Sequence, residues 1–439
     1  MKFQVVNLGC KVNRVESDDV AACFLSQGLE PASSHDADVV FVNTCTVTGE
    51  ADKKARKAVR HALNSHPNAR VVVSGCASAI DPGKFQEMDP TRVDVIGRAE
   101  LAGFVQDIVA KSTTTNLELA NIKSDDADRL RIGEGFNTRV NIKVQDGCDN
   151  ACTYCIVHVA RGKATSRNFS EVVSECVRYA QNGSREIVLA GINLGSYNHE
   201  GRTLPELLNE LLSKTADLPD AASPVRFRIS SIEPECIDDK LLRVIATANG
   251  RICRHLHLPL QAGSSKVLRE MARRYSADQF KQLVDTIYRF VPTMSLSTDI
   301  IVGFPGETEE DFQATYDLIE KVGYHQVFTF IYSKREGTPA ASIVDNTPKE
   351  VIQDRFDRLV DLVQKQAYEA NQIEKGRVVP VLVEGFSKRD PSLLVGKSPK
   401  NQTVHAPIPE GLSIEALTGS IIDVKINEAK TWYLKGEVC

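Results

Sequence analysis

The sequence predicts an α/β chain in three parts. These are an N-terminal open parallel-sheet α/β domain, a central partial (β/α)6 barrel and a small C-terminal all-β barrel. Three observations predict it. Short β-branched runs alternate with helical spacing in the first part, the alternation resumes for six repeats in the second, and the third breaks into short strands punctuated by Gly, Pro and Asn. Strands alternating with helices imply parallel sheets with right-handed crossovers. Short strands between turn residues imply a closed β unit.

In the N-terminal domain, residues 1–112, "FQVVNL", "DVVFVN", "RVVVSG" and "VDVIG" read as strands, and "RVESDDVAACFLSQG" and "GEADKKARKAVRHALNS" read as helices. Residues 113–134 read as a linker, on the strength of "KSTTTNLELANIKSDDADRL" (111–130), which is polar and poor in aromatics. The central part, residues 135–373, has strands at "RVNIKV", "EIVLAG", "VRFRISS", "HLHLPL", "LSTDIIVG" and "QVFTFIYS". Helices are expected at 170–182, 309–322 and, closing the unit, 349–374. Six repeats fall short of a full eight-fold barrel, so the barrel is partial, with its chemistry at the carboxyl ends of the strands. Residues 374–439 supply "RVVPVLVEGF", "SLLVGKS", "QTVHAPI" and "GSIIDVKINEAKTWYLKGEV", the strands of the last barrel.

Composition narrows the function. The 439 residues are 42% hydrophobic and 25% charged, ordinary for a soluble domain protein. A net charge of −5 excludes a globally basic nucleic-acid binder, so any such contact needs a local patch. No apolar run approaches the roughly 18 residues of a membrane span. The start "MKFQVVNLGC" lacks the charged and apolar regions of a secretory signal. A cytoplasmic location and no membrane partner are expected. Eleven cysteines in a reducing compartment, an odd number, point to metal or redox chemistry rather than disulfides.

Two cysteine sets stand out. "QDGCDNACTYCIVHVARG" holds Cys148, Cys152 and Cys155 as C-x3-C-x2-C, directly after the first barrel strand. Zinc wants a fourth ligand, which His158 could supply. A four-iron cluster held by three cysteines instead leaves one iron open for a small molecule. The loop's place at the active end of a βα barrel favours the cluster. The second set is dispersed: "FQVVNLGC", "VVFVNTC" and "RVVVSGC" each end in a cysteine, so Cys10, Cys45 and Cys76 recur at about one strand–helix unit. Three parallel strands would deliver them to one carboxyl sheet edge, where ligands of open α/β sheets bind. The alternative is three unrelated core thiols, since small buried cysteines are common. Cys23, Cys176, Cys236, Cys253 and Cys439 share no pattern.

The triplet, with aromatic Tyr154 before its last cysteine, resembles the signature of radical S-adenosylmethionine (SAM) enzymes. "LAGINLGSY" resembles the family's glycine-containing strand near the SAM amino group, with Gly191 in place, and "STDIIVGFPGETEEDF" its later adenine-flanking segment, with Ile301 and Gly303. "RISSIEP" and "HLHLPLQAGS" put Glu233, His257 and Gln261 at the same mouth. His255, next on the strand face to His257, is expected to be a satisfied structural histidine. With the dispersed trio and the terminal β-barrel (TRAM in that family), the whole chain apart from the linker resembles the radical SAM methylthiotransferases. "NLGCKVNRVES", "QDGCDNACTYC" and "RRYSADQF" are most similar to the branch that acts on N6-threonylcarbamoyladenosine beside the tRNA anticodon. One departure is His158–Val159, where the family often has Pro–Tyr.

The resemblance implies two four-iron clusters, one on Cys148, Cys152 and Cys155 and an auxiliary one on Cys10, Cys45 and Cys76. It implies two SAM molecules, one for the 5′-deoxyadenosyl radical and one for methyl transfer. Sulfur delivered through the auxiliary cluster would then give the 2-methylthio derivative at position 37. No catalytic residue beyond the cluster ligands is assigned. An unidentified electron donor and sulfur source would be needed, and a monomer is expected. For the tRNA anticodon stem-loop, the last domain has nine Lys and Arg against eight Asp and Glu, with Lys388, Arg389, Lys397, Lys400 and Asn401 close in sequence. The helix "ADKKARKAVR" adds Lys53, Lys54 and Lys57 beside the Cys45 loop. Phosphates are the natural partners of such groups. The alternatives are the same chemistry on isopentenyladenosine or on an aspartate of a ribosomal protein, and, in another class, a non-catalytic iron–sulfur or zinc RNA-binding protein.

Overall fold

The computed structural model describes residues 1–32, 35–100, 103–104, 138–216, 218 and 224–439. The expected linker lies outside the described residues. The chain forms two compact units. The first takes the described residues of Met1–Arg131 with Gly147–Asn150 and Cys155–Lys163; the second takes those of Ile132–Asp146, Ala151–Tyr154 and Ala164–Cys439.

In the first unit the strands are β1 (Lys2–Asn7), β2 (Glu30–Pro31), β3 (Val39–Thr44), β4 (Arg70–Gly75) and β5 (Val93–Val95), in sheet order β2-β1-β3-β4-β5 with parallel pairing throughout. The helices are α1 (Lys11–Ser26), α2 (Gly49–Ser65), α3 (Cys76–Ile80) and α4 (Gly83–Gln86). Every residue of β3 is buried, as a continuous apolar run in a parallel sheet covered on both faces should be. On α2 the buried residues Ala55, Val59, Ala62 and Leu63 recur at helical spacing and pack on Val40, Val42, Val71 and Val73. Thr48 caps this helix by accepting from Ala51 N.

In the second unit β6 (Arg139–Lys143), β9 (Glu186–Ala190) and β12 (Arg226–Ile229) pair in parallel, as do β13 (His255–His257), β14 (Ser295–Val302) and β15 (Gln326–Ile331). Single bridges Phe227–Ile252 and Ser231–His257 join the two halves. The outcome is the expected open barrel of six parallel strands in the order of the chain. The remaining short strands are the pair β7 (Gln145–Asp146) with β8 (Thr165–Ser166), and β10 (Asn198–His199) with β11 (Arg202–Thr203). Two-residue strands carry no hydrophobic period, which is why sequence patterning passed over them. The helices at Glu309–Val322 and Lys349–Gln372 fall where they were expected.

The last strands, β16 (Val378–Phe386), β17 (Leu393–Lys397), β18 (Thr403–Pro407), β19 (Ile421–Ala429) and β20 (Leu434–Val438), close into a barrel ordered β16-β17-β18-β20-β19. A buried charge cluster ties this barrel to the starts of β9 and β12. Glu186 receives Arg226 Nε at 2.6 Å and Arg228 Nε at 2.7 Å. The two guanidinium groups also donate to the carbonyls of Pro380, Lys397, Ser398 and Pro399. Burial pushes the Glu186 carboxyl up, but the flanking arginines outweigh it and hold it at about 2. The small barrel is thereby fastened at the amino ends of the strands, leaving their carboxyl ends to the site. No helix among the described residues is long and apolar enough to cross a membrane.

Candidate active site

Each cysteine of the dispersed trio follows a strand at a strand-to-helix turn. Cys10 is the N-cap of α1, Cys45 follows β3 directly, and Cys76 opens α3 after β4. The register pairs Asn7 with Asn43 and Thr44 with Gly75, so the three strand ends are level. Two glycines allow the close approach. Gly9 has φ +107°, and a Cβ there would lie 2.7 Å from Cys45 Sγ; Gly75 has φ +104°, and a Cβ there would meet Thr44 O at 2.4 Å. No β-carbon fits either position. Asn13, fully buried, staples the turns by donating to Leu8 O at 2.8 Å and Thr44 O at 2.9 Å.

Electrostatics join the trio as well. Burial raises the Cys10 thiol, opposed by the Arg161 guanidinium, and Cys76 acts on it through charge. Burial pushes Cys45 up to about 11, with Cys10 and Cys76 adding to the shift. Arg161 donates from Nε to Cys76 Sγ at 3.2 Å, and Arg98 lies at 3.7 Å from the same sulfur. Three thiols at one sheet edge, with cationic donors aimed at one sulfur, fit a metal–sulfur group. At Cys10 the charge of Arg161 works toward the thiolate that metal binding requires, against the larger effect of burial.

The triplet loop is pinched at its base. Gly147, φ +69°, would drive a Cβ to within 1.9 Å of Lys163 O, and Cys148 N donates to Gly162 O at 3.1 Å. Within the loop, Asn150 N points at Cys148 Sγ and Val157 N at Cys155 Sγ, both at 3.4 Å. Val47 N approaches Cys45 Sγ in the same way at 3.5 Å. An amide two residues on, directed at the sulfur, prepares a thiolate acceptor. This donor set fits a cluster with three protein ligands. Among the described residues no three His, Cys, Asp or Glu side chains, with or without His158, converge on a single-ion point.

In the second unit, Arg273 Nη1 lies 3.4 Å from Cys152 Sγ. Arg273 also pairs with Glu233 and donates to Pro259 O at 3.0 Å. Gly191, Glu233, His257, Gln261, Ile301 and Gly303 fall at or just past the carboxyl ends of β9, β12, β13 and β14, while Tyr154 is on the triplet loop. Gln261 adopts φ +73°, uncommon for a residue with a side chain, and is held by Gln261 N to Asp299 O at 2.8 Å and Ile301 N to Gln261 O at 2.9 Å. Gly303 N donates to buried Glu307 at 2.8 Å, and burial pushes that carboxyl up to about 7 against the pull of Gly303 N–H and Arg355. His257 bonds Ser297 at 2.9 Å and Asp299 at 3.1 Å. His255 is buried, and its Nε2 shares the same Ser297 hydroxyl at 2.9 Å.

The basic residues divide. Lys53, Lys54 and Lys57 are exposed on the first turns of α2. Lys388 and Arg389 are exposed in the β16–β17 turn, whereas Lys397, Lys400 and Asn401 are at the β17–β18 turn. These are opposite ends of β17, so closeness in sequence does not make them one patch. Lys397 is half-buried and donates to Thr403 Oγ1 at 2.8 Å, Lys400 pairs with Glu374 at 2.5 Å, and Asn401 serves the turn with φ +69°. Sequence reading missed Asn13, Arg161, Arg273, Asp299 and Glu307 as site residues.

Comparison with known proteins agrees with this geometry. Residues 2–97 match the uncharacterized protein family UPF0004, residues 142–319 the radical SAM superfamily, and residues 372–439 the TRAM domain. The tRNA-2-methylthio-N(6)-dimethylallyladenosine synthase of Bacillus thuringiensis (strain Al Hakam) is 35% identical over 100% of this chain and 86% of its own. The synthase of the same name from Anoxybacillus flavithermus (strain DSM 21510 / WK1) is 35% identical over 100% and 82%. Among solved structures, the radical S-adenosylmethionine methyltransferase TsrM of Kitasatospora setae, with cobalamin and a [4Fe-4S] cluster bound, has a TM-score of 0.55 at 15% identity over 77% of each chain, a likeness of fold. With two three-cysteine sets at the carboxyl edges of two parallel sheets, and relatives of this identity along its whole length, the chain belongs to the radical SAM methylthiotransferase family.

Proposed function

We propose that this protein methylthiolates C2 of N6-threonylcarbamoyladenosine at position 37 of tRNA. The observation behind the reaction type is that each of two three-cysteine sets presents three protein donors, which leaves a coordination position for chemistry. Cys148, Cys152 and Cys155 would hold one four-iron cluster, and Cys10, Cys45 and Cys76 the other. When bound, these groups supply reductive cleavage of SAM and a source of sulfur.

The chain's own residues do the rest. The loop from Cys148 to Cys155 is shaped by Gly147. Tyr154, Gly191, Glu233, His257, Gln261, Ile301 and Gly303 would receive SAM, with the backbone near its adenine held by Gln261 and by the Gly303–Glu307 bond. Residues 1–112 and 135–373 would carry the two clusters and residues 374–439 the RNA. Exposed Lys53, Lys54, Lys57, Lys388 and Arg389 are suited to phosphates. Lys397, Lys400 and Asn401 would act by shaping the terminal barrel. An external reductant and a sulfur donor complete the cycle.

The threonylcarbamoyl choice rests on the resemblance of "NLGCKVNRVES" and "RRYSADQF" to that branch. A second reading, isopentenyladenosine as substrate, is favoured by the names of the relatives, which are dimethylallyladenosine synthases. Mass spectrometry of tRNA nucleosides separates them. A strain lacking the gene should lose 2-methylthio-N6-threonylcarbamoyladenosine. Loss of the methylthio-isopentenyl nucleoside instead establishes the second reading, and no change in either overturns both.

A further inference from the structure

Arg161 has a geometry that holding the triplet loop does not require. It ends the short helix Val157–Arg161, which begins two residues after Cys155, and its side chain is fully buried. Nη1 and Nη2 meet the two Glu16 oxygens at 3.0 and 3.1 Å, and Nη2 also donates to Asn13 Oδ1 at 2.5 Å. With the fork fixed by a carboxylate and an amide, Nε–H is aimed at Cys76 Sγ, 85 residues away in sequence and 3.2 Å away in space.

We propose that Arg161 is a positioning residue for the three-cysteine site, fixing the Cys76 sulfur and setting the reduction potential of the iron–sulfur group held there. This rests on the reading that Cys10, Cys45 and Cys76 hold such a group. A hydrogen bond to a ligand sulfur withdraws electron density and favours the more negative, reduced state, which raises the potential. Glu16 balances the charge of Arg161, so the effect comes from the directed N–H rather than from a net positive charge. Lysine, a flexible point charge, cannot fill the fork and reach the sulfur together.

The test uses the full-length chain with Cys148, Cys152 and Cys155 changed to Ala, so that only the trio can load. After anaerobic reconstitution with iron and sulfide, this background should bind about four irons per chain. Binding no iron overturns the reading of the trio, and the proposal with it. Potentiometric titration followed by electron paramagnetic resonance then compares it with Arg161→Gln and Arg161→Lys. The midpoint should fall in both, further in Arg161→Gln, at unchanged iron content. If Arg161→Gln fails to retain iron, Arg161→Lys carries the comparison. A midpoint equal to the background's in the variants that retain iron overturns the assignment of Arg161.

Discussion

The two cysteine sites solve one problem in opposite ways. Cys148, Cys152 and Cys155 are gathered by eight consecutive residues, whereas Cys10, Cys45 and Cys76 are gathered by three level strand ends. Yet both place a buried arginine, held by one glutamate, with an N–H toward one cysteine sulfur: Arg273 with Glu233 at Cys152, and Arg161 with Glu16 at Cys76. A local motif brings its ligands with it and needs the fold to shape its surroundings. A dispersed site needs the fold to exist at all.

That difference makes the sites separable by mutation. The largest expected effect is chemical: Cys45→Ala should abolish methylthio product, by more than about 100-fold, while SAM cleavage to 5′-deoxyadenosine continues. Cys152→Ala should abolish both, because it removes a proposed ligand of the cluster that would cleave SAM. Liquid chromatography of the two products reads this directly, and loss of cleavage in Cys45→Ala would erase the division of labour.

Next in size are the ion pairs. Removing one partner of a buried pair leaves a charge uncompensated, so Arg273→Gln should cost about 3 kcal/mol in denaturant unfolding. A smaller effect belongs to the turns. Gly9→Ala must both adopt φ +107° and displace Cys45, so a loss of about 2 kcal/mol is expected, whereas Gly162→Ala, φ +76° with open space around it, should lose only about 1 kcal/mol. Equal losses would mean that the Gly9–Cys45 approach is not tight.

The smallest effect is one of pH. Burial raises the Glu307 carboxyl from 4.5 to about 7. Between those values the folded chain keeps a proton that the unfolded chain has released. The contribution of Glu307 is therefore full below pH 4.5 and declines as pH rises to about 7. Glu307→Gln should flatten that part of the stability curve, seen as a smaller Tm difference between pH 5 and pH 7. An undiminished difference would assign the slope to other groups.

Much of this was legible in the sequence because it follows from period. The strand runs ending in Cys10, Cys45 and Cys76 reveal both the sheet and its edge, since equal strand–helix units bring equal positions level. Arg161, Asn13 and Arg273 were not legible. "ARG" and "RRY" say nothing of which sulfur a side chain will reach, and that is decided by packing between distant segments. Lys397 and Lys400 show the opposite limit of the sequence. They lie near Lys388 in sequence, but a five-residue strand spans about 17 Å and sends the two turns to opposite ends. One-dimensional proximity predicts a patch only where no strand intervenes.

On the proposed reading, three strand ends build a second iron–sulfur site. Iron and sulfide per chain, measured on anaerobically reconstituted full-length protein, test it most directly. About eight irons are expected in the unaltered chain and about four when Cys10, Cys45 and Cys76 are changed together to Ala. An iron content unchanged by that triple substitution would contradict it.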